Sequence, residues 1–460
     1  MKTYDAIIIG SGQGGNPLAH KLADLKWRVA LVEREHLGGS CVNYGCTPTK
    51  TMIASARAAH VARTSARLGV HATEVRVDLS EVVARKNRIV MEWRNGQERH
   101  TASRHNLDLH RGHGRFVAPD RIAVDGVSLQ SENIFIDTGT RPRIPAIDGL
   151  DRVPYLTNRT ILDLQEIPEH LIVLGGSYIG LEFGQMFRRF GSRVSVIEHN
   201  DRIIHREDPD VSNALYEVLL TEGLDFHLGR TAQAASPSGG GIELTLSGGE
   251  VLGGSHLLIA VGRDPNTDDL GLEAAGVDTD HQGFIRVNDR LETNVPGIWA
   301  IGDVKGGPAF THISYDDHLI IFDNLTQGNS RSISGRVVPY ALFTDPELGR
   351  VGITETQARE SGRPIKLGQI PMSRVARAVE RDETAGLMKV VIDADTDRIL
   401  GAAVLGPEGG EVVQIFMTLM LADAPWTLLK RAVYIHPTLA EGLFALFEQV
   451  SSVEKSPVEQ

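Results

Sequence analysis

The chain has 460 residues, 41% of them hydrophobic and 23% charged, which is typical of a globular protein with two to four domains. Its net charge of −12 argues against a nucleic-acid-binding protein, because phosphate recognition needs a basic surface. No segment predicts a signal peptide, and the apolar stretch at residues 412–422 is shorter than the ~20 residues that a membrane-spanning helix needs. We therefore expect a cytoplasmic protein with neither nucleic-acid nor membrane partners.

The chain opens on an apolar run, residues 4–9, that predicts a buried parallel strand. Gly10, Gly12 and Gly15 follow in a G-x-G-x-x-G pattern, and a helical segment then leads to a second strand that ends at Glu33. The glycines allow a tight turn close to a pyrophosphate, and the helix N-terminus adds partial positive charge there. A carboxylate at the end of the second strand can accept hydrogen bonds from an adenosine ribose. This segment predicts a dinucleotide-binding unit.

Cys41 and Cys46 are the only cysteines of the chain, and they follow this unit in a segment that we predict to be helical. In a reducing cytosol, a disulfide is more often catalytic than structural. If the helix is distorted between them, the two side chains can face each other. A dithiol beside a flavin can take up two electrons and pass them to an external disulfide by thiolate exchange. The alternative is that both cysteines are simply small buried residues.

A second copy of the dinucleotide-binding pattern begins with a predicted strand at residues 171–174. Gly175, Ser177 and Gly180 occupy the three glycine positions, so that a serine replaces the middle glycine. Glu198 ends the following strand, and its distance from the first glycine equals the corresponding distance in the first copy. Two matched copies in one chain predict two nucleotide-binding domains.

The second nucleotide is predicted to be NADH. Glu198 would accept hydrogen bonds from a free 2′-hydroxyl and would repel a 2′-phosphate. Arg202 and Arg206 follow shortly afterwards and could accept such a phosphate, which leaves NADPH as the alternative.

The order of elements predicts an α/β fold with two Rossmann-like dinucleotide-binding domains and a C-terminal α+β domain. Residues 1–148 and 269–335 would form the first domain, which is discontinuous, because the predicted strand at 298–301 returns to it. Residues 149–268 would form the second domain and residues 336–450 the third. The polar tail, residues 451–460, is expected to be frayed.

The segment around the cysteine pair resembles a known family. Residues 38–50 look like the redox signature of the class I pyridine nucleotide–disulfide oxidoreductases, which include glutathione reductase, dihydrolipoamide dehydrogenase and mercuric reductase. Asp137 stands where this family usually has an alanine. The further matching segments follow in the order of the family: residues 138–139, 262–267, 300–303 and 436–441. The resemblance covers nearly the whole chain.

The resemblance implies FAD in the first domain, NADH or NADPH in the second, dimerisation through residues 336–450, and no resident metal ion. The residues expected to bind FAD are Gly10, Gly12, Gly15, Glu33, Gly39, Ser40, Lys50, Gly114, Thr138, Gly139, Asp303, Ala309, Phe310, Thr311 and His312. The residues expected to bind the pyridine nucleotide are Gly175, Ser177, Tyr178, Ile179, Gly180, Glu182, Glu198 and Gly262.

The resemblance also implies roles at the reacting centre. Cys46 would be the flavin-proximal thiolate, and Cys41 would be the interchange thiol that attacks the acceptor. Lys50 would lie near flavin N5 and pair with Glu182. Tyr178 would cover the nicotinamide pocket and move aside when the cofactor enters.

Proton transfer is expected from the C-terminal domain. His436, oriented by Glu441, would serve as acid and base at the active site of the other subunit, which implies an obligate homodimer. Histidine suits this role because it titrates near neutral pH. Asp303 would hold the ribityl chain of FAD.

The predicted acceptor is a small-molecule disulfide or another thiol-reactive compound. Residues 306–317 look closer to mercuric-reductase-like and reactive-chlorine-resistance flavoproteins than to dihydrolipoamide dehydrogenase. Mercuric reductases generally carry a further cysteine pair near the C-terminus and often a tyrosine where this chain has His436, so we do not expect efficient Hg(II) reduction. The alternatives are an NAD(P)H oxidase or quinone reductase, a metal-ion reductase using the same flavin, and a non-catalytic flavoprotein subunit.

Overall fold

The computed structural model describes residues 1–328 and 330–453. It confirms the predicted α/β class, with two parallel sheets of the dinucleotide-binding type and a C-terminal α+β unit. Every helix in these ranges is too short or too polar to cross a membrane.

The first unit is built on a five-stranded parallel sheet. Its strands lie in the order Ile298–Ala300, Ile134–Ile136, Ala6–Ile9, Val29–Glu33 and Leu107–Arg111. The central strands are apolar throughout because both faces of the sheet are covered. Helices Gly15–Asp24 and Thr311–Thr326 pack on one face, and Phe116, Ile122 and Leu129 pack on the other.

A smaller sheet and a helical excursion complete this unit. The smaller sheet contains Lys2–Thr3, Val127–Gln130, Arg121–Val124 and Gly114–Ala118. The excursion contains the helices Gly39–Tyr44, Cys46–Thr64 and Leu79–Ala102.

Short 3₁₀ turns occur at Ser65–Leu68, Leu150–Arg152, Ile161–Asp163, Gly302–Lys305 and Met372–Arg374.

The second unit repeats the parallel arrangement. Its four strands lie in the order Leu224–Leu228, Arg193–Glu198, His170–Leu174 and His256–Ile259, with helices Tyr178–Phe190 and Pro209–Thr221. An antiparallel sheet of Ala232–Ser238, Gly241–Leu246 and Val251–Gly254 packs beside it. Where the chain connects the first two units, strand Thr140–Pro142 pairs with strand Arg263–Pro265. A short helix, Leu272–Ala275, follows the second of these strands.

The C-terminal unit is a six-stranded antiparallel sheet flanked by helices. The strands lie in the order Pro339–Leu342, Glu347–Gly352, Ile399–Gly406, Leu387–Asp393, Ile365–Pro371 and Ser451–Ser452. The helices are Glu355–Glu360, Ala376–Glu380, Gly409–Leu421, Thr427–Lys430 and Gly442–Glu448.

The expectation of a frayed tail is wrong at its start. Ser451 and Ser452 pair with Leu367 and Lys366, and the Val453 N–H donates to the carbonyl of Ile365, so these residues close the sheet edge. Residues 454–460 lie outside the described part of the chain.

Candidate active site

A cleft of about 1890 Å³ collects the motifs of both dinucleotide units. Of the predicted site residues, those that line it are Gly10, Gly12, Glu33, Gly39, Ser40, Cys41, Cys46, Lys50, Gly114, Thr138, Gly139, Gly175, Ser177, Tyr178, Ile179, Glu182, Glu198, Gly262, Asp303, Ala309, Phe310, Thr311 and His312. Gly15 begins the helix after the first glycine turn, Gly180 lies in the first turn of the helix after the second, and neither residue lines the cleft. His436 and Glu441 also lie elsewhere.

The first glycine turn has the shape of a pyrophosphate cradle. Gly10 adopts a positive φ of 100°, and a side chain there would collide with the carbonyl of Asp137. Glu33 accepts hydrogen bonds from the Ser11 N–H at 3.0 Å and from its hydroxyl at 2.6 Å, so the carboxylate faces the turn. Gly139 has open space where a side chain would project, on the wall of the cleft. These residues fit the adenosine and pyrophosphate of a dinucleotide such as FAD.

Asp137 has a position that the sequence did not reveal. Its side chain is buried beneath the first glycine turn and accepts a hydrogen bond from the Gly15 N–H at 2.7 Å. Burial raises the pKa of this carboxyl well above its usual range. Asp303, which also lines the cleft, accepts a hydrogen bond from the Thr140 hydroxyl at 3.2 Å, and burial raises its pKa as well.

The second glycine turn presents an equivalent carboxylate. Glu198 accepts hydrogen bonds from the Gly176 N–H at 2.7 Å and from the Asn200 side chain at 2.6 Å. Ser177 has extended backbone angles, so its side chain causes no left-handed strain at the middle glycine position. Arg206 also lines the cleft. A ribose with a free 2′-hydroxyl and a ribose with a 2′-phosphate are therefore both chemically compatible with this site.

The two cysteines face each other across a break between helices. Gly45 separates Gly39–Tyr44 from Cys46–Thr64, and a side chain at this glycine would approach the Ser40 carbonyl to 2.9 Å. This break brings the Cys41 thiol into hydrogen-bonding contact with Cys46. Both residues line the cleft as free thiols, and Cys46 is exposed to it.

The contact polarises the pair. A hydrogen bond from Cys41 lowers the pKa of Cys46 to about 6, and the Thr311 hydroxyl, 3.2 Å from its sulfur, and the charge of Lys50 act in the same direction against burial. The same contact, together with burial, raises the pKa of Cys41. Cys46 is therefore the thiolate of the pair near neutral pH, and Cys41 retains its proton.

Lys50 and Glu182 form an ion pair of 2.6 Å between the first and second units. Glu182 also accepts the Phe343 N–H at 3.0 Å, so this carboxylate ties in the C-terminal unit as well. The Lys50 ammonium lies 4.6 Å from the centre of the Phe343 ring. Residues from all three units therefore hold the Lys50 ammonium at the wall of the cleft, beside the cysteine pair.

His436 and Glu441 form a pair on the surface of the C-terminal unit. The carboxylate lies 2.9 Å from Nδ1 of the imidazole, and the histidine side chain is 73% exposed. Its neighbours Val433 and Ile435 are 99% and 79% exposed. The His436–Glu441 pair therefore lies in the open on this unit, next to two exposed apolar side chains.

Three further residues beside the cleft were absent from the sequence prediction. Tyr340 stacks on Phe310, with ring centres 5.3 Å apart, and hydrogen-bonds to the buried carboxylate of Glu207, which lies near the buried Arg350. They belong to no local motif, and only the packing of the second unit on the C-terminal sheet brings them together.

The fold and the cleft together define a flavin-dependent oxidoreductase that uses a pyridine nucleotide and acts on sulfur groups. Family models agree with this class: the pyridine nucleotide-disulphide oxidoreductase model matches residues 4–317, and the corresponding dimerisation-domain model matches residues 338–445. The chain therefore belongs to the pyridine nucleotide-disulphide oxidoreductase family, which confirms the resemblance noted in the sequence.

Known members are similar to this chain over most of their length. The chain is 36% identical to the probable pyridine nucleotide-disulfide oxidoreductase RclA of Escherichia coli, covering 98% of this chain and 100% of the relative. It is 36% identical to a mercuric reductase of Lysinibacillus sphaericus, covering 96% and 81%. The solved structure of the HOCl-induced flavoprotein disulfide reductase RclA from E. coli superposes with a TM-score of 0.90 at 36% identity, covering 97% and 99%.

Proposed function

We propose that this protein is an FAD-dependent NADH:disulfide oxidoreductase in which Cys41 and Cys46 carry electrons to a small thiol-reactive acceptor. The observation that carries the proposal is the polarised cysteine pair, with a thiolate at Cys46 and a protonated thiol at Cys41, on a cleft that also holds both nucleotide motifs. When bound, FAD would supply two-electron transfer between the pyridine nucleotide and the cysteine pair.

The residues of the chain divide the remaining tasks. Glu33 and Glu198 would hold the two adenosine riboses, and Asp303 the ribityl chain. Lys50, held by Glu182 at 2.6 Å, keeps a positive charge beside the Cys46 sulfur. In the net reaction, NADH, a proton and one disulfide yield NAD⁺ and two thiols.

The acceptor step needs a group that takes the proton from Cys41 and passes it to the leaving thiolate. Cys41, after giving up its proton, would attack one sulfur of the acceptor disulfide and form a mixed disulfide with it, while the other sulfur leaves as a thiolate and takes up that proton. The Cys46 thiolate would then attack the Cys41 sulfur, which re-forms the Cys41–Cys46 disulfide and releases the second thiol. We assign this proton transfer to His436 of a second copy, oriented by Glu441. The support is the exposure of His436 among Val433 and Ile435, together with the match to a dimerisation domain, which favours a homodimer.

An anaerobic titration with NADH, and separately with NADPH, tests this function. We expect two electrons to generate a long-wavelength thiolate-to-flavin absorbance band while the flavin stays oxidised, with NADH as the better reductant. Cys46→Ser should retain FAD yet lose disulfide turnover. If the flavin simply bleaches without the band, and the double Cys→Ser variant keeps its turnover, the protein is an NAD(P)H oxidase or a quinone reductase.

A metal ion is a second candidate acceptor. RclA from E. coli has been solved as a Cu(II) complex, and that protein matches this chain with a TM-score of 0.89. Here the low pKa of Cys46 and its exposure to the cleft provide a soft ligand for such an ion. NADH-dependent formation of Cu(I), followed with a Cu(I)-specific chelator under anaerobic conditions, tests the idea. Equal rates in the double Cys→Ser variant would exclude the cysteine pair as the route.

A further inference from the structure

Four side chains from two units meet beside the predicted nicotinamide pocket. Tyr178 begins the helix after the second glycine turn, and Glu207 precedes the helix Pro209–Thr221 of the same unit. Tyr340 and Arg350 come from the C-terminal sheet, where they lie directly opposite each other on paired strands. The cluster therefore joins the pyridine-nucleotide unit to the C-terminal unit.

Glu207 is the centre of this cluster, and its contacts differ in strength. One carboxylate oxygen accepts a hydrogen bond from the Tyr340 hydroxyl at 2.5 Å and reaches the Tyr178 hydroxyl at 3.5 Å. The other oxygen lies 3.5 Å from Nε of Arg350, and both charged side chains are 1% exposed. Among the described residues, no guanidinium nitrogen of Arg350 has a hydrogen-bond partner.

Tyr340 has two contacts that do not involve Tyr178. Its ring stacks on Phe310 with an interplanar angle of 10°, in addition to its short hydrogen bond to Glu207. The Tyr178 ring makes a looser, tilted contact with Tyr340, with centres 5.8 Å apart and planes at 56°. If Tyr178 moved, Glu207 would keep Tyr340 as a donor and Arg350 as its counter-charge.

Resting on the function proposed above, we propose that Glu207 is a positioning residue that holds the Tyr178 ring over the nicotinamide pocket, with Tyr340 and Arg350 fixing its carboxylate. The long hydrogen bond to Tyr178 is the weak contact of the cluster, so entry of the nicotinamide breaks this bond and one tilted ring contact. Burial raises the pKa of Glu207, and the buried Arg350 guanidinium opposes this, so the carboxylate keeps a counter-charge after the tyrosine has left. The C-terminal unit thus sets how readily the pocket opens.

A double-mutant cycle on the FAD-loaded protein tests this proposal. Tyr178→Phe keeps the ring and removes the hydroxyl, whereas Glu207→Gln removes the charge of the acceptor. The readouts are iodide quenching of flavin fluorescence, which reports access to the flavin face, and the dissociation constant of NAD⁺. Since a long hydrogen bond is worth little, we expect each single variant to increase iodide access and to tighten NAD⁺ binding by about two- to fivefold.

The decisive result is the double variant. If Glu207 acts through the Tyr178 hydroxyl, the double variant should match Tyr178→Phe alone. Additive effects, or no change in either single variant, would overturn the proposal. If Glu207→Gln does not fold, Tyr340→Phe replaces it in the cycle, since loss of the 2.5 Å bond frees the carboxylate to move.

The same samples keep the two proposals apart. Reduction of the bound flavin by NADH in the unmodified protein tests the oxidoreductase function directly. A flavin that NADH does not reduce, combined with non-additive iodide access, would refute that function while supporting the Glu207 contact. Normal reduction with additive access would refute only the contact.

Discussion

The thiolate at Cys46 should depend on the hydrogen bond from Cys41. The pKa of Cys46 is lowered to about 6 from a reference of 9.0, which favours the charged form near neutral pH. The Cys41 contact is the largest cause of this lowering, ahead of Thr311 and Lys50. At pH 7, a pKa of about 6 leaves about 90% of Cys46 as thiolate, whereas the reference value would leave about 1%.

Two substitutions at one position separate the hydrogen bond from the loss of the sulfur. Cys41→Ala removes the donor, and we expect the pKa of Cys46 to rise by about one pH unit or more. Cys41→Ser is the matched control, because its hydroxyl still donates to the thiolate, and it should retain most of the lowering. Thr311→Val should have a smaller effect, since its hydroxyl ranks below Cys41 among the causes.

The assay is a pH titration of the thiolate-to-flavin absorbance band in the FAD-loaded variants. Both variants leave a single cysteine, so the band reports Cys46 alone, and it should disappear as the pH falls through the pKa. Midpoints that stay near 6 in both Cys41→Ala and Cys41→Ser would refute the role of the hydrogen bond. A midpoint near the reference value in both would show that Lys50 and Thr311 contribute little.

Four other changes test separate parts of the site. Glu198→Ser should raise the KM for NADH about tenfold and reduce the preference for NADH over NADPH, measured in steady-state assays as the ratio of the two kcat/KM values. An unchanged ratio would contradict the assignment of Glu198 to the ribose. His436→Gln should lower disulfide turnover by about 10²- to 10⁴-fold while stopped-flow reduction of the flavin by NADH stays normal. Lys50→Met should slow flavin reduction about tenfold more than Lys50→Arg does, because only arginine can keep the ion pair with Glu182; equal rates would argue against a role for the charge. Val433→Glu should shift sedimentation towards the monomer, since a side chain 99% exposed on this unit is expected at the interface, and an unchanged dimer would place the interface elsewhere.

The class of the protein was readable from its sequence because its signals are local. The glycine turns are dictated by backbone geometry within a few residues, as the positive φ of Gly10 and Gly175 shows. Glu33 and Glu198, which end the second strand of each unit, follow the first glycine of their turn at the same sequence distance, since turn, helix and strand together have the same length in the two units. The cysteine pair could also be singled out from the sequence, although the contact between the two residues requires the helix break at Gly45.

Only the tertiary structure decided which distant groups share a site. The Asp137 carboxyl meets the Gly15 N–H across 122 positions of sequence, and Glu207 meets Tyr340 across 133. No sequence motif or characteristic spacing links the two residues of either pair, because their contact results from the packing of whole sheets. The charge state of a buried carboxyl or thiol depends on the burial and neighbours that this packing creates, so the sequence predicts which residues react, whereas only the fold sets the surroundings that decide their charge.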